Sequence, residues 1–452
     1  MNRITLGLLL FFGQSLIYAS SSVLFEGVKV FNGTSTKLSG TTNVLIENNK
    51  IKRIGRNVKA SADATVISGK GRVLMPGMID NHWHSTLATM PQAQLLSADL
   101  QYISINAVKT NEDTLLRGFT SVRDVGGNVF GLKKATDNGM VKGPRIYPSG
   151  PYLSQTSGHG DFRPATVVPT SNNQDLDYFQ RVGMTIIADG VPQVRKGARE
   201  AFRMGASQLK VMAGGGVSSL YDPLDVTQYS YDEMKAIVEE ANNWNTYVTV
   251  HAFSDKAIEQ AINAGVKSVE HGFLLSDKTL KKMAKKGVWL SIQPILNDED
   301  AIPFPDPVSQ AKFVEVTNGT DKVMRAAKKH RVKIAWGTDT LFDPALAAKQ
   351  GKMAAKMKRW FKPHEVLRIL THDNAQLLKL SGKRDPYPDG ELGVVRVGAY
   401  ADLILVNGDP LKNIDLIATP ETSFAVIMKN GEIIKNMLED RNTRSRASVV
   451  EK

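Results

Sequence analysis

The sequence predicts an α/β fold, a (β/α)8 TIM barrel joined to a small β-sandwich built from both ends of the chain. Three observations carry that prediction. Eight short apolar or β-branched runs lie near residues 77–82, 120–125, 144–150, 208–213, 247–252, 266–271, 288–293 and 332–337. Strand–helix alternation over about 250 residues or somewhat more is the size of such a barrel. Strand texture without helical periodicity marks both ends of the chain instead. A doubly wound sheet, the alternative, would want a glycine-rich dinucleotide turn after its first strand, and none appears there.

Taken in order, the chain opens with Met1-Asn2-Arg3, an apolar run from Ile4 to about Phe12, then Leu16 to Ala19 and a serine cluster. A basic residue, a short apolar stretch and small residues are the parts of a secretory signal peptide. Residues 1–21 are therefore expected to direct export to the periplasm or the medium, with cleavage between residues 19 and 22; a buried first strand is the competing reading. The run is too short to span a bilayer, which takes ~20 residues. Val28–Phe31, Val44–Glu47, Ile51–Ile54 and Val66–Ser68 follow as small antiparallel strands, and Ala401–Val406, Phe424–Lys429 and Glu432–Ile434 repeat that texture. Residues 22–75 and 385–438 are thus expected to form the composite sandwich, 76–384 the barrel, and 439–452 a polar tail.

Inside the barrel segment, Met75-Pro76-Gly77-Met78-Ile79-Asp80 reads as a tight turn entering the first strand. Ser230-Tyr231-Asp232-Glu233 is a capping box, with Met234, Ile237, Val238 and Ala241 on one helical face behind it. Ser254 opens a helix that Gly265 stops, and a helix from about Ser276 stops at Gly287, glycine being the residue that accepts the left-handed end of a helix. Two long stretches, Pro151 to about Ser207 and Gln293 to about Arg331, read as candidate substrate loops.

Composition narrows the chemistry. With no cysteine among 452 residues, a disulfide framework, an iron–sulfur cluster, a thiolate zinc site and a cysteine nucleophile are all excluded. A transition metal would have to be held by histidine and carboxylate. The formal net charge is +12, but lysines such as Lys278, Lys281, Lys282, Lys285 and Lys286 read as a solvated helix face without interleaved aromatics, so no nucleic-acid partner is expected. No other segment is apolar enough to insert stably in a membrane, and the sequence leaves room for a homo-oligomer.

The residues that carry chemistry gather at strand ends. His82-Trp83-His84 ends the first barrel run, and residues i and i+2 of a strand share a face. Alone, such a pair is more often structural. His251 and His271 end the fifth and sixth runs, so four of the eight histidines stand on the rim where barrels place active sites. Asp339 in Trp336-Gly337-Thr338-Asp339 adds a carboxylate after the eighth run. Lys210 lies within the fourth. An inward lysine is costly unless paired or neutral. It is either salt-bridged to Asp339 or Glu270, or a low-pKa amine able to take up carbon dioxide as a carbamate.

Pro76-Gly77-Met78-Ile79-Asp80-Asn81-His82-Trp83-His84, Lys210, His251, Glu270-His271-Gly272 and Gly337-Thr338-Asp339 together resemble the amidohydrolase superfamily, and Gly393 to Leu403 resembles its returning sandwich strands. The resemblance covers roughly residues 23 to 435. Lys210 to Val217 and Ser157-Gly158-His159-Gly160-Asp161 are similar to the imidazolonepropionase-related dipeptidases, which include Xaa-Pro and Xaa-Arg/Lys dipeptidases and ochratoxin-hydrolysing amidases. That resemblance implies two divalent metal ions, usually Zn2+. His82, His84 and Asp339 would hold one, His251 and His271 the other, and carboxylated Lys210 would bridge them. It further implies Asp339 as general base and acid, with His159 and Tyr221 contacting the substrate; the bland readings are a turn histidine and an exposed loop aromatic. Two such ions would lower the pKa of bound water from ~15.7 toward ~7 and polarise the scissile carbonyl. The implied reaction is cleavage of an amide bond in a small-molecule or dipeptide substrate, or in an N-acyl amino acid. A lactone or phosphotriester hydrolase using the same site, and a non-enzymatic exported binding protein, are the competing readings.

Overall fold

Burial along the first strand shows how the chain begins to build. In a computed structural model describing residues 22–167, 176–302, 304 and 306–438, β1 (Ser22–Val30) buries Val23, Leu24, Phe25, Val28 and Val30 and exposes Glu26 and Lys29. The signal-peptide and tail expectations, residues 1–21 and 439–452, lie outside the described residues. β2 (Thr42–Glu47) and β3 (Lys50–Gly55) continue β1 as an antiparallel meander. β4 (Thr65–Ser68) and β5 (Val73–Pro76) both run parallel to β1, contrary to the all-antiparallel expectation. A register break between Phe25 and Val28 divides β1, so that its first half pairs with β2 and β4 and its end pairs with β5. One strand thereby serves both layers of the sandwich. Of the turn expected over Met75–Asp80, Met75 and Pro76 instead end the fully buried strand Val73–Pro76, and Met78, Ile79 and Asp80 already belong to the next strand. Pro76 is tolerated because it is the last residue of the strand, where its missing N–H disrupts the ladder least.

The barrel strands follow: β6 (Met78–Trp83), β7 (Phe119–Asp124), β8 (Arg145–Pro148), β9 (Tyr152–Ser154), β10 (Thr185–Ile187), β11 (Leu209–Met212), β12 (Val248–Ala252), β13 (Ser268–His271), β14 (Trp289–Ile292) and β15 (Lys333–Trp336). β6, β7 and β8 pair in parallel, and β9, β11, β12, β13, β14 and β15 form a second parallel run, with β10 added beside β9. All eight expected runs are strands. The third is interrupted at Ser149-Gly150-Pro151, β8 pairing back to β7 and β9 forward to β11. The chain closes the sandwich with β16 (Leu403–Val406), which pairs antiparallel with β5, then β17 (Phe424–Lys429) and β18 (Glu432–Asn436).

Between the last and first barrel strands a side chain replaces the ladder. Asn374 donates from Nδ2 to the carbonyls of Ile79 (2.6 Å) and Trp336 (2.9 Å), and its Oδ1 accepts from the Trp336 amide at 2.9 Å. Asp339 N also donates to His82 O at 2.8 Å. The strands come so close that a Cβ on Gly337 would collide with the His82 backbone, so no other residue fits there.

Helices cover the outside as their signals direct. Ser230 and Glu233 make the expected capping box, and Gly265 and Gly287 end their helices with left-handed backbone. The stretch after Gln293 is less of a loop than expected, because Pro307–Lys329 is a 23-residue helix. Asp306 caps it, Pro307 occupies its first turn, and Phe313, Val316, Thr320, Val323, Met324 and Ala327 bury one face at helical spacing. Residues 151–207 likewise include β9, β10 and the helices Tyr178–Arg181 and Gly190–Met204. Sandwich and barrel have separate apolar cores, Phe25, Ile46, Leu403 and Val426 belonging to the first and Val211, Val250, Leu290 and Trp336 to the second. No helix among the described residues is long and apolar enough to cross a membrane.

Candidate metal centre and substrate site

The strand ends deliver their polar side chains to one rim. His82 closes β6, His84 stands just past it, and their buried rings lie 5.3 Å apart. Asp339, two residues beyond Gly337, presents Oδ1 3.1 Å from His82 Nε2 and 3.5 Å from His84 Nε2. The ligand atoms of His82, His84 and Asp339 all lie within 4.8 Å of one another. Asp339 Oδ2 reaches toward His271 Nδ1 at 3.6 Å, and the His271 ring is 4.5 Å from that of His251. His271 and Asp339 both hold left-handed backbone, φ 74° and 53°. Such conformations cost about 1–3 kcal/mol each and concentrate at functional sites.

Each imidazole has one nitrogen committed and the other free of that commitment. Nδ1 of His82 faces Glu270 Oε2 at 2.8 Å, Nδ1 of His84 faces the Gly126 carbonyl at 3.2 Å, Nδ1 of His271 faces Gln293 Oε1 at 2.9 Å, and Nε2 of His251 faces the Gly215 carbonyl at 3.0 Å. Acceptors at one nitrogen fix the proton there and leave a lone pair on the other, as in histidines that ligate metals. Burial lowers the pKa of His271 to about 3, and burial with the neighbouring imidazoles holds His251 well below its usual value, so both are neutral. Burial would raise Asp339, but His82 and His271 outweigh it and hold the carboxyl well below the usual range.

Lys210 points inward from β11, fully buried, with Nζ 3.4 Å from His82 Nε2. Burial lowers its pKa to about 8, against the pull of Glu270 and Asp339. The salt-bridged alternative does not describe it, since Glu270 gives Oε1 to Arg123 at 2.6 Å and Oε2 to His82, while Asp339 faces His82, His84 and His271. An amine with that lowered pKa, beside four imidazoles and a deprotonated carboxylate, is a donor set that suits divalent cations.

His159 joins the group. Its ring stacks on that of His251 at 4.0 Å and 15°, with Nδ1 2.7 Å from Ser219 Oγ and 3.3 Å from Asp222 Oδ2. Tyr221 does not: it is 51% exposed on the loop after β11, and among the described residues no hydrogen bond or ring contact ties it to the histidines. Half-buried Phe304 packs against buried Phe313, their rings 5.7 Å apart.

Several working residues escape the sequence reading. Arg123, fully buried in β7, donates to Asn81 O, Tyr247 Oη, Ser291 Oγ and Glu270 Oε1, and so fixes the carboxylate that orients His82. Asp80 accepts from the backbone N–H groups of His82 and Thr338, tying the two ligand-bearing ends together. Both had a usable signal: Arg123 is a cation in an apolar strand, as Lys210 is, and Asp80 stands two residues before His82 on the same face.

Fold and rim together define a class, a barrel enzyme whose chemistry sits at the carboxyl ends of its strands. Residues 73–442 match the Amidohydrolase family, and the chain belongs to that family of amide-bond hydrolases. It is 32% identical over 393 residues to an ochratoxinase of Aspergillus niger, covering 80% of this chain and 76% of that one. It superimposes on a prolidase crystallised with N-methylphosphonate-L-proline with TM-score 0.83 at 32% identity, covering 92% of this chain and 100% of that one. On a Xaa-Pro dipeptidase holding methionine in its active site, the TM-score is 0.79 at 26% identity, with 91% of this chain and 99% of that one covered.

Proposed function

We propose that the protein uses two divalent cations, zinc being the expected pair, to cleave an amide bond of dipeptides of the Xaa-Pro or Xaa-Arg/Lys type or of N-acyl amino acids. The observation that carries this is the position of Asp339, whose two oxygens face three imidazoles at 3.1–3.6 Å. His82, His84 and Asp339 would hold one cation, His251 and His271 the other, and Lys210 as a carbamate would stand between them. Bound there, the cations supply Lewis acidity and a water acidified to near neutral pKa. The printed descriptions of the relatives, a prolidase, a Xaa-Pro dipeptidase and an ochratoxinase, support the substrate class.

The chain's own groups supply the rest. Asp339, deprotonated and with 16% of its side chain exposed, takes a proton from the attacking water and passes it to the leaving nitrogen. Arg123 and Glu270 hold His82 in one tautomer. His159 presents its unpaired edge to the substrate, and Phe162, Leu341 and Phe342 give the site a partly buried apolar wall, the Phe162 and Phe342 rings being 5.9 Å apart. Export of the mature chain belongs to the same proposal and is checked by N-terminal sequencing of secreted protein.

The test is a parallel screen of dipeptides, N-acyl amino acids, lactones and paraoxon, with metal analysis of the same preparation. Turnover of amides, its loss on chelation, and a near-inert Asp339→Asn are expected. Turnover of lactones or paraoxon alone, or an active Asp339→Asn, overturns the reading.

A further inference from the structure

The long helix Pro307–Lys329 buries one charge that the proposed chemistry does not use. Lys312 is only 8% exposed, and its Nζ donates to three backbone carbonyls: Gly216 at 3.0 Å, Ser219 at 2.8 Å and Asp222 at 2.9 Å. An apolar side chain would fill a helix–loop contact at less desolvation cost, so the ammonium is there for its donors. All three acceptors lie in one short turn, residues 216–222, that follows β11. This turn begins in Gly214-Gly215-Gly216, a run with more conformational freedom than other residues would have; Gly214 and Gly215 are tied to His251, and three carbonyls of 216–222 are tied by Lys312.

The same turn is what grips His159. Its Ser219 Oγ and Asp222 Oδ2 face His159 Nδ1 at 2.7 and 3.3 Å, and Asp222 Oδ2 also accepts from the Gly216 amide at 2.8 Å. Gly216 lies directly on the imidazole, where a Cβ would overlap the ring. His159 in turn stacks on His251 at 4.0 Å. The contacts therefore run unbroken from helix to ammonium, turn, His159 and His251.

We infer that Lys312 is a positioning residue: its ammonium clamps the turn 216–222, so that Ser219 and Asp222 hold the His159 ring against His251 at the edge of the substrate site. The role at the substrate rests on the proposed function; the clamp itself does not. It couples the segment 293–331 to the chemistry through one side chain, although no part of the helix supplies a candidate ligand.

Hydrogen exchange by mass spectrometry on full-length Lys312→Met tests the clamp. Peptides covering residues 214–222 should exchange about tenfold faster or more while those of β12 and β13 stay as in the parent. In the same preparation, KM for the best amide substrate should rise about tenfold with kcat within about threefold and metal content unchanged, a split that general loosening of the rim would not give. Asp222→Asn approaches from the other side of the link and should reproduce the rise in KM, and the double variant should be no worse than the more affected single. Unchanged exchange in 214–222, an unchanged KM in both singles, or additive effects overturn the inference. Should Lys312→Met not fold, Asp222→Asn decides through its own KM, metal content and exchange. If the parent turns over no amide, the proposed function fails while the exchange comparison still judges the clamp.

Discussion

Glu270 shows how much of the site depends on a residue that touches no candidate cation position. It is fully buried, and burial alone would raise its pKa, but Arg123 and His82 hold it well below the usual carboxylate range. Its negative charge does two things: it neutralises Arg123, and it accepts the Nδ1 proton of His82, turning Nε2 toward Asp339. Glu270→Gln keeps the shape, loses the charge, and leaves Arg123 buried and unpaired. Breaking a buried pair in this way costs about 3–5 kcal/mol, and losing an outer partner of a ligand typically weakens metal binding about 10–100-fold. We expect both effects, read by thermal unfolding and by metal titration against a competing chelator; unchanged metal affinity would show that His82 does not need its partner. At this scale the six ligand candidates were legible because each ends or lines a strand run, and Lys210 stood out as a cation among apolar neighbours. Arg123 has the same signature, but its purpose shows only when it is paired across the barrel with Glu270, 147 positions away. Tyr221, a substrate contact only by resemblance, stands 51% exposed on the loop after β11, and where such a loop side chain sits cannot be read from its neighbours in sequence.

Between elements, single polar side chains act where ladders do not. Asn374 satisfies two carbonyls and one amide at the barrel seam, all buried. Asn374→Ala leaves those groups without partners at about 1–3 kcal/mol each, so we expect a loss of at least about 3 kcal/mol in denaturant unfolding; a loss below about 1 kcal/mol would mean that the seam is held otherwise. Asp300, after β14, ties its loop to the following helices through Lys349, Lys352 and Lys356, each at 2.9 Å. Burial would raise its pKa, but the three ammonium groups hold it well below 3.8. Since the folded value is the lower one, the contribution is present above the unfolded pKa of about 3.9 and disappears as pH falls below it. The lysines are partly solvated, so it is worth only about 1 kcal/mol. Asp300→Asn should therefore be less stable than the parent at pH 7 by about that margin and converge with it only as the pH falls through the folded pKa, well below 3.8; a gap independent of pH would assign the effect to packing. Element positions were largely legible because capping and glycine signals are local. The interrupted third strand, the parallel β4 and β5, and the helix in the second long stretch were not, because pairing partners and a helix's buried face are decided by segments far away in the chain.

For the whole molecule, the separation of cores from rim leads to a prediction about metal removal. Sandwich and barrel each bury a continuous apolar cluster, and neither includes the histidines or Asp339. The fold is thus expected to survive without cations, unlike small domains whose core is too slight to fold alone. A cation that binds only the folded chain still stabilises it, by about 2.7 kcal/mol at a hundredfold excess over its Kd. Six candidate donors from β6 and the residue just past it, β11, β12, β13 and the segment after β15 would be drawn together by such binding, and four of them are already oriented by Glu270, Gly126, Gln293 and Gly215. Exhaustive chelation should therefore leave the far-ultraviolet circular dichroism of the parent intact, lower its unfolding temperature by several degrees, and be reversed on adding back zinc. Loss of secondary structure on chelation would mean that the cations help build the fold, and an unfolding temperature indifferent to both chelator and zinc would deny the rim its cations altogether.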